Sequence, residues 1–589
     1  MSPALGFIAM FGGSSAERAA ASGALQNALA HFERLDLTEL ILGQTHLWFW
    51  GRGALTPALH YLPDGSLIAL VGSPAGSVSW PLVQDRLLAA AEPGDFHLPW
   101  DGRVILMKVD PRGDVWTLWN DWLGSIPVFH ASSAGLRIAS TLEPAVVAAL
   151  GCTPDDVFLP GLLSLLIHGN CLSDWTLFRN MKVLPPDSAS EWSAGGFRGK
   201  QYFTVRPTEG RWEEGWDELV EEMHELSRRA IADVLRTQST WILPLSGGLD
   251  SRLIAAVGAE LGVNVLAYTW GAQGSLDTIY GRQLARALDL PWTWIDLGRE
   301  YLTRYVGPWL DVFGSAMHAH GMYQMAFFDA LRSEPAAPVA SGFLGETLAG
   351  YDVRFQTLLH SLSQRSYQIH PDGYLHWLPT EVRALFKRNV DDAFDQLAAE
   401  IEKQSNAVPG PWFQRLRFLT LWGRQRHFTS FSSTLADHYR GVCTPFLDRT
   451  YARFCLSLPR VALEERRLQA DLFRRHYRSI ATIPVAPTNE LLVTNGTHIL
   501  RRRIARHLPT RALRGPFRDF NPAPLSRDGE CMRAAGQAAL WPIYDVWHSL
   551  GEWFNMDQIV SACERAIAGE HESIRKVQAI QALAYRLRR

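Results

Sequence analysis

Residues 242–251 read Ile242-Leu243-Pro244-Leu245-Ser246-Gly247-Gly248-Leu249-Asp250-Ser251. A short apolar strand enters a glycine turn, and Arg252-Leu253-Ile254-Ala255-Ala256-Val257 continues as a helix. Gly247 and Gly248 let the backbone close around an anion, Ser246 and Ser251 offer hydroxyls, and free amides at the helix start aim at the same point. The stretch therefore reads as a phosphate-gripping loop, against the plainer reading of an ordinary strand-to-helix turn. Asp250, acidic among phosphates, requires a cation between them and reads as a magnesium ligand on a surface loop.

The surroundings set the fold. Trp216 to Leu235 has helical periodicity, followed by strand 242–245, a helix, strand Val263 to Tyr268, a helix through Tyr280 to Leu288, and strand Trp292 to Ile295. Alternation of strand and helix predicts a parallel sheet with helices on its faces. Upstream, Leu5 to Met10, Leu67 to Val71, Val104 to Val109, Val115 to Trp119, Val128 to His130 and Leu136 to Ala139 are short β-like runs between turn signals. They predict a sheet-dominated N-terminal domain. Polar, Pro- and Gly-broken residues 206–215 read as a linker, and helical patterns dominate from about 355 onward. The expectation is an α/β chain with domains at 1–205 and 216–589.

Bulk properties narrow the function classes. The 589 residues exceed one core, and 47% hydrophobic with 20% charged residues is globular. A net charge of −3 gives no general field for nucleic acid or an anionic membrane. The six cysteines lack C-x-x-C spacing, which argues against a zinc knuckle or compact disulfide framework. No apolar run has the length of a membrane span and the start lacks the order of a signal peptide, so a cytoplasmic location is expected. Most of the 22 tryptophans are core packing, with a minority available to line a groove for an extended ligand.

Ser-Gly-Gly-Leu-Asp-Ser resembles the pyrophosphate loop of ATP pyrophosphatases, and further segments in order resemble the asparagine synthetase family. Asp121-Trp122-Leu123-Gly124-Ser125-Ile126-Pro127-Val128-Phe129 is similar to D-x-x-G-x-x-P-L-Y, and Arg137 to Glu143 to the segment around F-A-S-E. Thr176 to Pro186 resembles the end of the family's glutaminase domain. Ser341-Gly342-Phe343-Leu344-Gly345-Glu346-Thr347-Leu348-Ala349-Gly350-Tyr351 is similar to S-G-E-G-A-D-E-L-F-G-G-Y, and Pro445-Phe446-Leu447-Asp448 matches P-F-L-D. The resemblance implies an N-terminal, Ntn-type glutaminase-like sheet domain joined to an ATP pyrophosphatase domain with a helical extension. It implies ATP and Mg2+ as cofactors, with Leu245, Ser246, Gly247, Gly248, Asp250, Ser251, Ser341 and Gly342 binding nucleotide and Asp250 and Glu346 holding the metal.

Departures from the pattern carry the functional expectation. The family's cysteine nucleophile follows the initiator Met; here Ser2 has that place, the aligned position holds Leu5, and no cysteine precedes Cys152. Glutamine is therefore not expected to supply ammonia. Glu346 stands for the family's metal-binding aspartate, and Phe343 for an acidic residue that handles the attacking amine in some relatives. No lysine lies between Lys403 and Lys576, where the family usually has one, which leaves Arg424, Arg426, Arg466 and Arg474 as candidate substitutes, each also readable as a surface charge. Asp277 is either a family aspartate or a helix cap. His427 is a candidate base, with an ordinary core or surface histidine as the alternative. Asp250, Glu346, His427 and Arg424 are thus the candidate catalytic residues.

A synthetase without an ammonia source must use an amine already on its substrate. The arrangement resembles that of lasso peptide cyclases, macrolactam synthetases that activate an Asp or Glu side chain of a precursor peptide and join it to the peptide's own N-terminus. That resemblance implies the precursor peptide and a leader peptidase or leader-binding protein as partners, and no nucleic acid. An ammonia-dependent asparagine synthetase, a β-lactam synthetase and a nucleotide-binding scaffold without activity are the alternatives.

Overall fold

The computed structural model describes residues 4–486 other than 77, 134, 209 and 351–376, together with 490–493, 496–505, 507, 522–523 and 525–588. Ser2 and Tyr351 lie outside the described residues. Two sheets organise the chain. The first has twelve strands: β1 (Ala4–Gly12), β2 (Asp36–Leu42), β3 (Thr45–Gly51), β4 (Leu59–Tyr61), β5 (Leu67–Pro74), β6 (Gly102–Val109), β7 (Trp116–Asn120), β8 (Phe129–Ser133), β9 (Leu136–Ser140), β10 (Lys182–Val183), β11 (Ser188–Ser193) and β12 (Gly196–Gln201). Its order is β10-β8-β9-β1-β5-β6-β7-β11-β12, with β3 also on β1, β2 on β3 and β4 on β5. Pairing is antiparallel apart from a single parallel contact, Ala4 with Val71.

Burial explains the sequence of β1. Phe7 and Ala9 enter a core with Leu47, Phe49, Val71, Ile105 and Trp116. Ile8 and Met10 point the other way, against Ala21, Leu25 and Ala28 of the helix Ser15–Leu29. A strand covered on both faces reads as a continuous apolar run. The same holds for β3, Thr-His-Leu-Trp-Phe-Trp-Gly, which was not among the expected strands because it shows no alternation.

The second sheet contains β13 (Thr240–Pro244), β14 (Asn264–Trp270), β15 (Trp292–Ile295), β16 (Val339–Ala340) and β17 (Val442–Cys443), ordered β15-β14-β13-β16-β17. All of its pairings are parallel, as the alternation predicts. Helices Trp216–Leu235, Leu249–Glu260 and Leu276–Ala287 connect or flank these strands, and helices account for most of the described structure after residue 378. Among the described residues no helix is long and apolar enough to cross a membrane.

The two halves of the chain are joined by buried polar contacts. Arg103 on β6 pairs with Asp437 at 2.8 Å and donates to the Thr434 hydroxyl at 2.6 Å. The Trp50 indole donates to His438 Nε2 at 3.0 Å, and the Trp122 indole to the Leu447 carbonyl at 2.8 Å. Stripping one partner from a buried ion pair costs roughly 3–5 kcal/mol, so these contacts fix how the halves meet. The 206–215 stretch, read as a linker, is held too: the Arg211 amide donates to the Ser457 carbonyl at 3.0 Å.

Candidate functional site

The loop 246–251 leaves the carboxyl end of β13, where open parallel sheets place their ligands. Its first three amides and one of its two hydroxyl hydrogens are already paired. The Ser246 amide donates to Ser251 Oγ at 3.1 Å, the two hydroxyls lie 3.1 Å apart, and the Gly248 amide donates to Ser246 Oγ at 3.1 Å. The Gly247 amide donates to Asp277 Oδ1 at 2.8 Å. The free amides read at the helix start are thus distinct from those of residues 246–248, which hold the loop's own shape. Donors at the first turn of the Leu249–Glu260 helix, which has no side-chain cap, remain for an anion.

Asp277 is not the cap of its helix. Ser275 fills that position by accepting from the Thr278 amide, which frees the Asp277 carboxylate to brace Gly247. Burial raises the Asp277 carboxyl above its ordinary range, opposed by the Gly247 hydrogen bond. A second brace was not foreseen. Fully buried Arg252 donates to the carbonyls of Ile480 (3.0 Å), Ile483 (2.8 Å), Pro484 (2.8 Å) and Gly247 (3.1 Å). Its one legible signal is a charged residue inside an otherwise apolar helix segment.

Asp250 is buried at 7% exposure and paired with Arg466 at 2.8 Å, with Gln469 at 3.5 Å. Arg466 also approaches Glu346 at 3.6 Å, whose side chain is half exposed. Burial raises the Asp250 carboxyl to about 7, with Arg466 opposing and Glu346 adding to the rise. The reading of Asp250 as a surface-loop residue is corrected, because the 341–348 segment closes over it. A Cβ on Gly345 would lie 2.5 Å from Asp250 Cγ, and one on Gly342 3.2 Å from Asp250 Cβ. Leu344 adopts φ 75°, the left-handed region, to begin the short helix Gly345–Leu348. Buried Arg417 fastens that helix's end by donating to the Thr347 carbonyl at 3.0 Å and to that of Leu348.

The third wall is a π-helix, Leu421–Thr429, whose wide turn divides its side chains between two directions. Arg424, Gln425 and Thr429 face a cavity of about 340 Å³ that is also lined by Ser246, Gly248, Asp250, Ser251, Ser341, Gly342, Phe343 and Glu346. Arg426 and His427 instead face the first half of the chain: Arg426 donates to the carbonyls of Ser173 (3.2 Å) and Leu184, and His427 Nε2 lies 2.9 Å from the Ser173 carbonyl. Burial and neighbouring Arg426 push the His427 imidazole well below its ordinary range.

Most of the expected site residues are thus brought together, and the exceptions have local causes. Leu245 and Gly247 lie behind the cavity, Leu245 with its amide on the Tyr268 carbonyl at 2.8 Å. His427 is held by the π-turn against Ser173. Of the four arginines, Arg466 reaches Asp250 and Arg424 lines the cavity, whereas Arg426 serves the interface and Arg474 the Leu492 carbonyl and Asp471. Gln425, Thr429 and Ser432 are further lining residues that were not among the candidate site residues.

An asparagine synthase family model matches residues 222–533, which include the loop, the 341–348 segment and the π-helix. No curated protein gives a match. Two solved structures are similar at low level. One, described as the allosteric regulatory enzyme of purine biosynthesis, has 8% identity and a TM-score of 0.24, covering 49% of this chain and 80% of that one. The other, the glutamine phosphoribosylpyrophosphate amidotransferase from B. subtilis complexed with ADP and GMP, has 11% identity and a TM-score of 0.22, covering 44% and 65%. Likeness of that degree carries no argument here. The family match spans just over half of the chain and every wall of the cavity, so the protein belongs to the asparagine synthase family, which supports an ATP-dependent amide-bond ligase.

Proposed function

We propose that the protein is an AMP-forming macrolactam synthetase that adenylates an Asp or Glu side chain of a precursor peptide and joins it to the peptide's N-terminal amine. One observation carries the reading. The cavity over the 246–251 loop is assembled, while the start of β1, where the family's glutaminase thiol belongs, holds buried Leu5 beside Gly6, whose Cα faces the Trp50 indole and the Thr141 hydroxyl. Trp50 is itself fixed to His438. With no thiol there, the amine is supplied by the substrate.

The cavity residues fit nucleotide and metal. Arg466 already brings one cation to two carboxylates, Asp250 and Glu346, which is the charge arrangement a divalent ion requires. Magnesium held by those two residues would neutralise phosphate charge. The helix-start amides and the Ser246 and Ser251 hydroxyls bind the phosphates, and Arg424 and Arg466 supply the positive charge that the family draws from lysine. The peptide carboxylate attacks the α-phosphorus, pyrophosphate leaves, and an acyl-adenylate forms. The α-amine then attacks the activated carbonyl, loses a proton, and AMP departs. Holding both groups of one peptide together supplies part of the roughly 7–11 kcal/mol available from proximity.

The test uses peptides with a free N-terminal amine and an acidic side chain several residues inward. Pyrophosphate release and a product lighter by one water are expected, read by mass spectrometry. Acetylating the amine blocks ring closure but not adenylation, and Asp→Asn or Glu→Gln in the peptide blocks both. Asparagine formed efficiently from free aspartate and ammonium, with such peptides inert, overturns the reading in favour of the simpler synthetase.

A further inference from the structure

Away from the cavity, Glu221 and His224 lie one turn apart on the helix Trp216–Leu235, facing His476 at the end of the helix Arg467–His476. Their ligand atoms all fall within 4.8 Å of one another. His476 Nε2 is 3.1 Å from Glu221 Oε1, and the two imidazoles stack with centroids 3.7 Å apart and planes 7° from parallel. We infer that Glu221, His224 and His476 form a binding site for a divalent transition ion of zinc's character, clamping the two helices together.

The chemistry of the donor set selects the ion. Two imidazoles and one carboxylate match zinc and poorly match magnesium or calcium, which take oxygen ligands. Face-to-face rings disfavour double protonation: burial and His476 both lower His224, so it carries a lone pair at neutral pH. His224 Nε2 also lies 3.3 Å from the Tyr477 hydroxyl. The His476 end is also the carbonyl end of its helix, whose partial negative charge favours a cation. Of the nearby cations, Arg228 pairs with Glu260 and Arg475 with Asp217, while Arg475 also lies 4.0 Å from Glu221, a contact the ion would replace. Coordination requires the stacked rings to fan apart so that their nitrogens converge, a side-chain rotation open to half-buried histidines and an exposed glutamate.

The clamp has a structural consequence. The helix that ends at His476 begins directly after Arg466, the partner of Asp250, so an ion here pins the far end of the element that presents Arg466. The experiment uses the full chain after chelator treatment, with magnesium present throughout. Equilibrium dialysis against zinc is expected to give one bound equivalent, and zinc to raise Tm by about 2 °C or more. His224→Ala and His476→Ala each should lose the equivalent and the Tm rise, while circular dichroism stays native. Retention of the equivalent in the doubly substituted chain overturns the assignment, as does failure of the native chain to bind zinc.

Discussion

The two segments that enclose Asp250 are built by opposite strategies. The 246–251 loop is held by fixed partners: its first amides are taken by Ser246, Ser251 and Asp277, and Arg252 ties it to carbonyls of 480–484. The 341–348 segment instead carries a strained residue, left-handed Leu344, and presents a half-exposed carboxylate, Glu346. A loop whose shape is set beforehand does not reorganise when charge arrives, whereas an exposed carboxylate adjusts to its ligand. Asp250 belongs to the first by sequence and to both by packing.

The largest effect that separates the two segments comes from Asp250. Asp250→Asn should reduce pyrophosphate exchange below detection while preserving a hydrogen-bonding oxygen for Arg466. Asp250→Ala should in addition lower stability by roughly 3–5 kcal/mol, because it strands a buried guanidinium. Equal Tm values for the two variants would show that the ion pair does not carry the loop's stability.

Gly345→Ala probes the contact between the segments. A methyl group 2.5 Å from Asp250 Cγ must displace the carboxylate. A fall in kcat of about 10²-fold is expected from a misplacement of this kind, with the KM for ATP changing less. Native kcat would mean that the 341–348 segment yields, and that Asp250 is positioned by the loop alone.

Acidification tests the interface beneath both. Burial lowers His438 from 6.5 to about 4, with its Thr434 hydrogen bond opposing and Arg52 and Arg103 adding to the drop. The unfolded chain then binds a proton that the native state refuses. Stability attributable to this group is full above pH 6.5 and falls as pH drops towards 4, with a slope of up to about 1.4 kcal/mol per pH unit. Denaturant titrations across that window should show a shallower slope in His438→Gln; an unchanged slope would remove His438 from the account.

The smallest effect belongs to Leu344. Leu344→Gly removes the Cβ penalty of the left-handed conformation, worth about 1–2 kcal/mol before the entropy of glycine is subtracted. A Tm at or slightly above that of the native chain is expected. A clear loss of Tm would show that Leu344 stabilises through its buried side chain more than its backbone costs.

The sequence by itself determined the strand–turn–helix at 242–260, the strand–helix alternation of the parallel sheet, strands β1 and β5 to β9, and Ser246 and Asp250 as candidate ligands. Local chemistry is sufficient for these, since apolar runs, glycines and hydroxyls act over a few residues. Other features were decided only by the tertiary structure. His427 and Arg424 are three residues apart in one motif, yet a π-turn sends them to opposite sides. Asp277 looked equally like a cap and a family aspartate until Ser275 took the cap. Arg466 was one arginine among four until the fold carried it across 216 residues to Asp250. Which side chains share a buried charge is set by long-range packing, where desolvation gives each pairing its weight, and no spacing rule in one chain encodes it.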